Sequence, residues 1–313
     1  MIRALLTAAA LVIGLTSAAG AQQTTAPLPV IRVAVPPVDA ASQAYYAQAK
    51  GFFKKVGLNV EIQTVSGGAS VAAAVVGGSV DIGQSNLSSL CSAHERGVPI
   101  VLIAGANLFD ARTRQSELVV APNAPFREAR DLDGKTIGVS GLKNVTEVAF
   151  DAWMESHGGD WKSAKTVEVP FSSMADAVVS GRIDAAMMTE PELSGALAAK
   201  RVRILSTPME SIAREFLIGA WFATPAYAKE HPEIVRAFAA AMAMAADWAN
   251  HNQDESAKIL QAATGIASVG NASRVTFANH LDARDMQPLI DSSAKYGALK
   301  ASFPAAQLMA SAQ

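Results

Sequence analysis

Hydrogen-bonding residues gather in five short segments of this 313-residue chain. They are Pro36 to Gln43, Gly67 to Ser70, Gln84-Ser85-Asn86, Ser140 to Thr146 and Thr189-Glu190-Pro191. Hydroxyls, amides and glycines of this kind suit non-covalent recognition by side chains and exposed backbone N–H groups. Covalent and metal chemistry would need other patterns. None of His94, His157, His231, His251 and His280 pairs at i, i+4 around a glutamate. Gly138 to Leu142 lacks the second glycine of a nucleophile elbow, and no phosphate-binding glycine loop occurs. The single cysteine excludes an intrachain disulfide and a cysteine-held metal cluster. Cys91, in the apolar run LSSLCSA, reads as a small buried hydrophobe. We expect no cofactor and no metal.

Each segment sits where a strand hands over to a helix. Ile31 to Val35 is a β-branched run stopped by Pro36-Pro37, and Ser42 to Lys55 has helical spacing. Leu58 to Val65 alternates as a strand, Ser70 can cap a helix Val71 to Val76, and Val80 opens the next strand. The second third replays this order: strand Lys135 to Val139, helix Val145 to His157, strand Thr166 to Val169, helix Met174 to Val179, strand Ile183 to Met187. Ala74 to Gly83 and Ala177 to Ala186 match as helix end, small-residue turn and strand start with aspartate, 103 residues apart. Strand alternating with helix predicts an α/β fold of two Rossmann-like lobes with mostly parallel sheets. Loops at the carboxyl ends of such strands converge where ligands bind.

The helix after each loop presents unpaired N–H groups and a positive dipole end. Lys143, Asn144 and Thr146 at one such start suit a small anion or a carbonyl oxygen. One exposed helix end contributes only about 0.3–1 kcal/mol, whereas micromolar binding needs about 8 kcal/mol. Donors from both lobes and an apolar wall are therefore required, with Trp221, Tyr45 and Tyr46 as candidates for the wall. Structural readings compete with these. Ser140, Thr146, Asn86 and Glu190 also suit helix caps, Lys143 a solvated charge and Trp221 the core, while Asp81 and Asp184 suit turn braces.

The chain is 50% hydrophobic and 17% charged, enough to bury substantial cores. A net charge of -2 leaves no electrostatic footprint for nucleic acid. Residues 1–21 read as a signal peptide: Arg3, the apolar run Ala4 to Leu15, then Ala19-Gly20-Ala21. No cysteine follows that site, so export to the periplasm without a lipid anchor is expected. Residues 22–29 read as a flexible leader. Thr113 to Glu117 reads as a polar loop. After Trp221 to Pro225 the signals are helical, and this last third is expected to pack on the first lobe, away from any chemistry.

The stretch Ile31 to Ile62 resembles the opening of periplasmic solute-binding proteins of ABC importers. The nitrate/sulfonate/taurine type, which is similar to the thiamine-pyrimidine-precursor binders, matches best. The marks are Ala49-Lys50-Gly51-Phe52-Phe53 with Gly57 to Val60, Gly78 to Gly83, Asp131 to Val139, Glu190-Pro191 and His231 to Phe238. The resemblance covers about residues 30–250 and implies a type II periplasmic binding protein fold. Its two lobes, 30–120 plus 220–313 and 121–219, would be joined by a two-segment hinge. It also implies a monomer that carries a small organic solute to an inner-membrane permease. Cleft positions carried over by the resemblance are Asp39, Gln43, Gly68, Gln84, Ser85, Asn86, Ser140, Lys143, Asn144, Thr146, Glu190 and Trp221. No arginine stands in the five loops, and Asp39 and Glu190 are acidic. Fully anionic solutes want a more basic pocket, which leaves room for a zwitterionic, heterocyclic or neutral one. A pyrimidine-precursor-synthase-like enzyme and an exported sensor are the alternatives.

Overall fold

The computed structural model describes residues 30–309, apart from 37, 66, 114, 191 and 266–273. The expected signal peptide and leader lie outside the described residues. The chain runs β1 (Val30–Val35), α1 (Gln43–Ala49), α2 (Phe52–Lys55), β2 (Asn59–Thr64), α3 (Gly68–Val76), β3 (Ile82–Asn86), α4 (Leu87–Glu95) and β4 (Val101–Asp110). It continues with β5 (Ser116–Val120), β6 (Thr136–Val139), α5 (Val145–Ser156), β7 (Lys165–Glu168), α6 (Phe171–Val179), β8 (Ala185–Thr189), α7 (Glu192–Ala198) and β9 (Arg203–Ser206). Last come β10 (Glu215–Ala223), α8 (Pro225–Glu230), α9 (Pro232–His251), α10 (Gln253–Thr264), β11 (Thr276–Phe277) and α11 (Ala283–Lys295). The single helix expected over Ser42 to Lys55 is two, because Gly51 adopts a left-handed φ of 72° that ends α1.

Two sheets result, ordered β11-β4-β10-β3-β1-β2 and β7-β6-β8-β5-β9. Both are built on the same plan. In each, a parallel trio is followed by one antiparallel strand: β10 beside β3, and β5 beside β8. The sequence repeat at 103 residues holds in three dimensions, since α3 and α6, and likewise β3 and β8, start and end at that offset. Its aspartates do the same work. Asp81 accepts the Arg32 N–H at 2.8 Å and returns its own N–H to the Arg32 carbonyl. Asp184 accepts the Thr136 N–H at 2.9 Å and donates to the Thr136 carbonyl. Each pins the start of one parallel strand to the strand beside it.

The chain changes sheets between Asp110 and Ser116 and again between Ser206 and Glu215. The expected boundaries at 120/121 and 219/220 fall at the far end of β5 and inside β10. The segment Thr113 to Glu117, expected as a polar loop, already enters β5 at Ser116. All of β5 is buried, because it is the strand shared by β8 and β9. Glu117, 1% exposed, is accommodated there by the Thr207 hydroxyl at 2.7 Å.

The last third packs on the first sheet as expected, with one strand added. Phe238, Ala241, Met242, Ala245, Ala246 and Ala249 form the buried stripe of α9, spaced for one helical face. Phe238 stacks on Phe53 at 5.9 Å between ring centres. β11 pairs with β4 at the sheet edge. Among the described residues no helix is long and apolar enough to cross a membrane.

Candidate functional site

A cavity of about 340 Å³ lies between the two sheets. The turn before α1 contributes Asp39, β3 ends at Asn86, and the loop into α5 contributes Ser140, Asn144 and Thr146. Glu190, just past β8, completes the six of the twelve candidate residues that line it. Its apolar walls come from Val38, Phe109, Val145, Phe171, Met209 and Ile218. These elements converge because both sheets turn the carboxyl ends of their parallel strands toward the gap.

The loop into α5 is the most interlocked part. Asn144 accepts the Thr146 N–H at 2.9 Å and the Thr146 hydroxyl at 2.7 Å, and donates to the Ser140 hydroxyl at 2.9 Å. The Ser140 N–H points at the Thr146 hydroxyl at 3.2 Å. Asn86 caps α4 through the Ser89 N–H at 2.8 Å. Glu190 accepts the Ser194 N–H at 3.1 Å and the Ser194 hydroxyl at 2.7 Å. All three side chains are thus caps that also line the cavity. A cap takes one of the four orphan N–H groups of a helix, and the rest can serve a ligand oxygen.

Asp39 is not a free carboxylate. Arg274 grips it with two parallel hydrogen bonds, at 2.9 and 2.8 Å, and the pair is almost fully buried, 8% and 9% exposed. The same guanidinium donates to the Tyr46 hydroxyl at 2.7 Å. Burial, with the nearby Asp39 charge, pushes that hydroxyl up to about 12. Arg274 and its neighbour Val275, which lines the cavity, come from the last third, where no chemistry was expected.

A second hollow of about 620 Å³ adjoins, between α3, α4 and residues 142–144, and holds Gly68, Ser85, Lys143 and Asn144. Gly68 is required there by close approach: a Cβ would stand 2.2 Å from the buried Ser85 hydroxyl. Gly68→Val is expected to cost about 1–3 kcal/mol by overpacking, read from urea unfolding. Lys143 is exposed on the rim with φ 59°, its N–H held by Glu147, and does not reach the main cavity.

Three carried-over positions are core instead. Trp221 is fully buried, donates to Gln43 at 2.7 Å and meets the edge of Phe238 at 5.3 Å. Gln43 spends its amide N–H on the Ala278 carbonyl at 3.2 Å. Gln84, 3% exposed, lies opposite Trp221 in the ladder between β3 and β10. Tyr45 and Tyr46 are buried under α9 and α10, so the expected aromatic wall does not form from them; the half-buried Phe171 supplies one, and Phe109 lines the cavity from the core. Asn107, Phe109, Gln115, Ser116, Phe171, Glu192 and Met209 were not expected at the site. Asn107 had a signal: one amide inside the apolar run Val101 to Phe109. Phe171 had another, standing 103 residues after Gly68.

The family model described as "NMT1/THI5 like" matches residues 40–256. The chain belongs to the NMT1/THI5-like family. A formylaminopyrimidine-binding protein of Halalkalibacterium halodurans is 24% identical over 69% of this chain and 64% of its own length. The taurine-binding periplasmic protein of Escherichia coli is 27% identical over 67% and 63%. The matched stretch thus spans just under two thirds of these relatives. Yeast 4-amino-5-hydroxymethyl-2-methylpyrimidine phosphate synthases match at 25% identity over a similar stretch. The crystal structure of the periplasmic aliphatic sulphonate binding protein SsuA from Escherichia coli superposes with a TM-score of 0.74. It is 15% identical and covers 90% of this chain and 91% of that one. This NMT1/THI5-like chain therefore has the periplasmic binding protein fold.

Proposed function

We propose that this NMT1/THI5-like protein is the periplasmic binding component of an ABC importer and holds a small, uncharged or heterocyclic organic solute between its lobes. The cavity carries the reading. Its described lining includes no lysine or arginine, but two acids, Glu190 and Glu192, and Asp39 already neutralised by Arg274. A sulfonate or nitrate desolvated there would lack a cationic partner. A flat solute with ring nitrogens would instead stack on the half-buried Phe171 and exchange hydrogen bonds with Asn144, Ser140 and Glu190. The lobes are 30–110 with 215–309, and 116–206. They close about the two short crossings, so ligand contacts from both sides favour the closed form. A membrane permease is the partner, the protein acts as a monomer and the residues ahead of 30 serve export.

Binding rather than catalysis is supported by the buried state of the one thiol. Desolvation pushes Cys91 up to about 12, out of nucleophile range. The relatives named as binding proteins point the same way, and those named as synthases keep an enzymatic reading in view.

Calorimetry against taurine, an alkanesulfonate, nitrate and 4-aminopyrimidines tests the proposal. Aminopyrimidines are expected to bind, with the sulfonates and nitrate silent. Asn144→Ala should weaken that binding about tenfold, the worth of one or two hydrogen bonds. Tight sulfonate or nitrate binding overturns the ligand class, and turnover of any solute overturns the transport role.

A further inference from the structure

Outside the cleft, a cavity of about 190 Å³ lies between α5, β7 and the turn after α11. None of its lining residues belongs to the cleft cavity. Two carboxyl groups one helical turn apart, Glu147 and Asp151, form its inner side, and Trp161 and Tyr296 wall it edge to face, 5.4 Å between ring centres. Glu147 is spoken for: one oxygen accepts from the Thr166 hydroxyl at 2.5 Å and the other from the Lys143 N–H. Asp151 is different. It is 6% exposed, lines the cavity, and has neither hydrogen-bond donor nor counter-ion among the described residues. Lys143 and Lys162 reach only the rim, where both are exposed and Lys162 lies over the Trp161 ring. Glu155 nearby is occupied by Lys295 and Tyr296.

A carboxyl group buried without a partner needs one from solution or a proton. We propose that this cavity is a second binding site, for a small organic ammonium ion. The ammonium donates to Asp151 and Glu147 while its alkyl part lies against Trp161 and Tyr296, whose rings already carry Lys162 and Lys295 at 5.5 and 5.2 Å. The aromatic walls select against a hard divalent ion, which demands about six oxygen ligands. Two carboxyl groups and the hydroxyls of Thr166 and Tyr296, both already donating to glutamates, fall short of that. Methylammonium fits the volume and the chemistry.

The test uses the full chain at pH 8.5, above the value of about 8 to which burial pushes Asp151, with methylammonium chloride followed by calorimetry and tryptophan fluorescence. One saturable site at about millimolar concentration is expected, with no matching response to sodium chloride. Asp151→Asn is expected to weaken the titration at least tenfold while its circular dichroism stays that of the wild type. Trp161→Ala, on a partly exposed wall, gives the same loss should the first variant fold poorly. A wild type that does not bind, an equal response to sodium chloride, or a titration unchanged in both variants overturns the site. Aminopyrimidine binding at the cleft is unaffected by either variant, so failure here and failure of the transport reading are told apart.

Discussion

Arg274→Ala will unfold at a markedly lower urea concentration than the wild type, with about 3–5 kcal/mol of stability lost. The guanidinium and the Asp39 carboxylate are 8% and 9% exposed, joined by two hydrogen bonds, with Tyr46 as a third partner. Removing the arginine leaves a carboxylate that is desolvated and uncompensated. The double variant Asp39→Leu with Arg274→Met should recover most of the loss, because replacing both ions with apolar groups of similar size is often close to neutral. The pair also joins distant parts of the chain. Asp39 opens the first cleft loop, and Arg274 leads into β11, 235 residues away. In Arg274→Ala the freed Asp39 adds a negative charge to the cleft wall. Any anion should therefore bind still more weakly than to the wild type. A variant within about 1 kcal/mol of the wild type in urea would mean that the pair is solvated and that the cleft is more acidic than described.

The same pair marks where the sequence stopped being legible. Local pattern carried a long way. The repeat at 103 residues, the helix starts at Asn86 and Asn144 and the turn aspartates Asp81 and Asp184 all reappear in the structure, because each is decided by neighbours a few residues off or by one adjacent strand. The cap readings of Asn86 and Glu190 proved compatible with cavity lining, since a cap stands at the end of a helix that points into the gap, whereas α5 is capped by Asn144 and not by Ser140 or Thr146. What failed was anything decided across the chain. Trp221, Tyr45 and Tyr46 are as apolar in sequence as Phe109 and Phe171. Only packing of α1 and α9 against the sheet makes the first three core, while Phe109, also fully buried, backs the cleft and Phe171 alone is partly exposed to it. Gln43 looked like a ligand donor, but its partners are Trp221 and Ala278, 178 and 235 positions away. The passages between the sheets lie a few residues from the expected boundaries for a related reason. β5 is short and polar at its start, and only its place between β8 and β9 turns Ser116 and Glu117 into buried strand.

Stability should fall as pH rises from about 4 to about 8, and Asp151→Asn should remove much of that slope. Desolvation, with the adjacent Glu147 charge second, pushes the Asp151 carboxyl up to about 8. In the unfolded chain it ionises near pH 4, about the ordinary aspartate value. Between those limits the folded state keeps a proton that the unfolded state has lost. Raising the pH therefore favours unfolding until the folded group also ionises, after which the effect levels off. A full shift would cost about 1.4 kcal/mol per pH unit. Water reaching the cavity tempers this, and about 2–4 kcal/mol between pH 5 and 8 is the expected contribution. Glu147, Lys143, Lys162 and Tyr296 also face this cavity and are common to both proteins, so the comparison isolates Asp151. The measurement is the urea midpoint of wild type and variant at pH 5, 6.5 and 8. The two should agree at pH 5 to within the cost of the amide, and the variant should be the more stable at pH 8. Parallel pH profiles would place Asp151 in contact with water in the folded state and remove the unpaired carboxyl on which the second cavity depends. Divergent profiles that converge again when methylammonium is added at pH 8 would tie that slope to the cavity itself. A cation held by the ionised carboxylate restores to the wild type what the buried charge takes away.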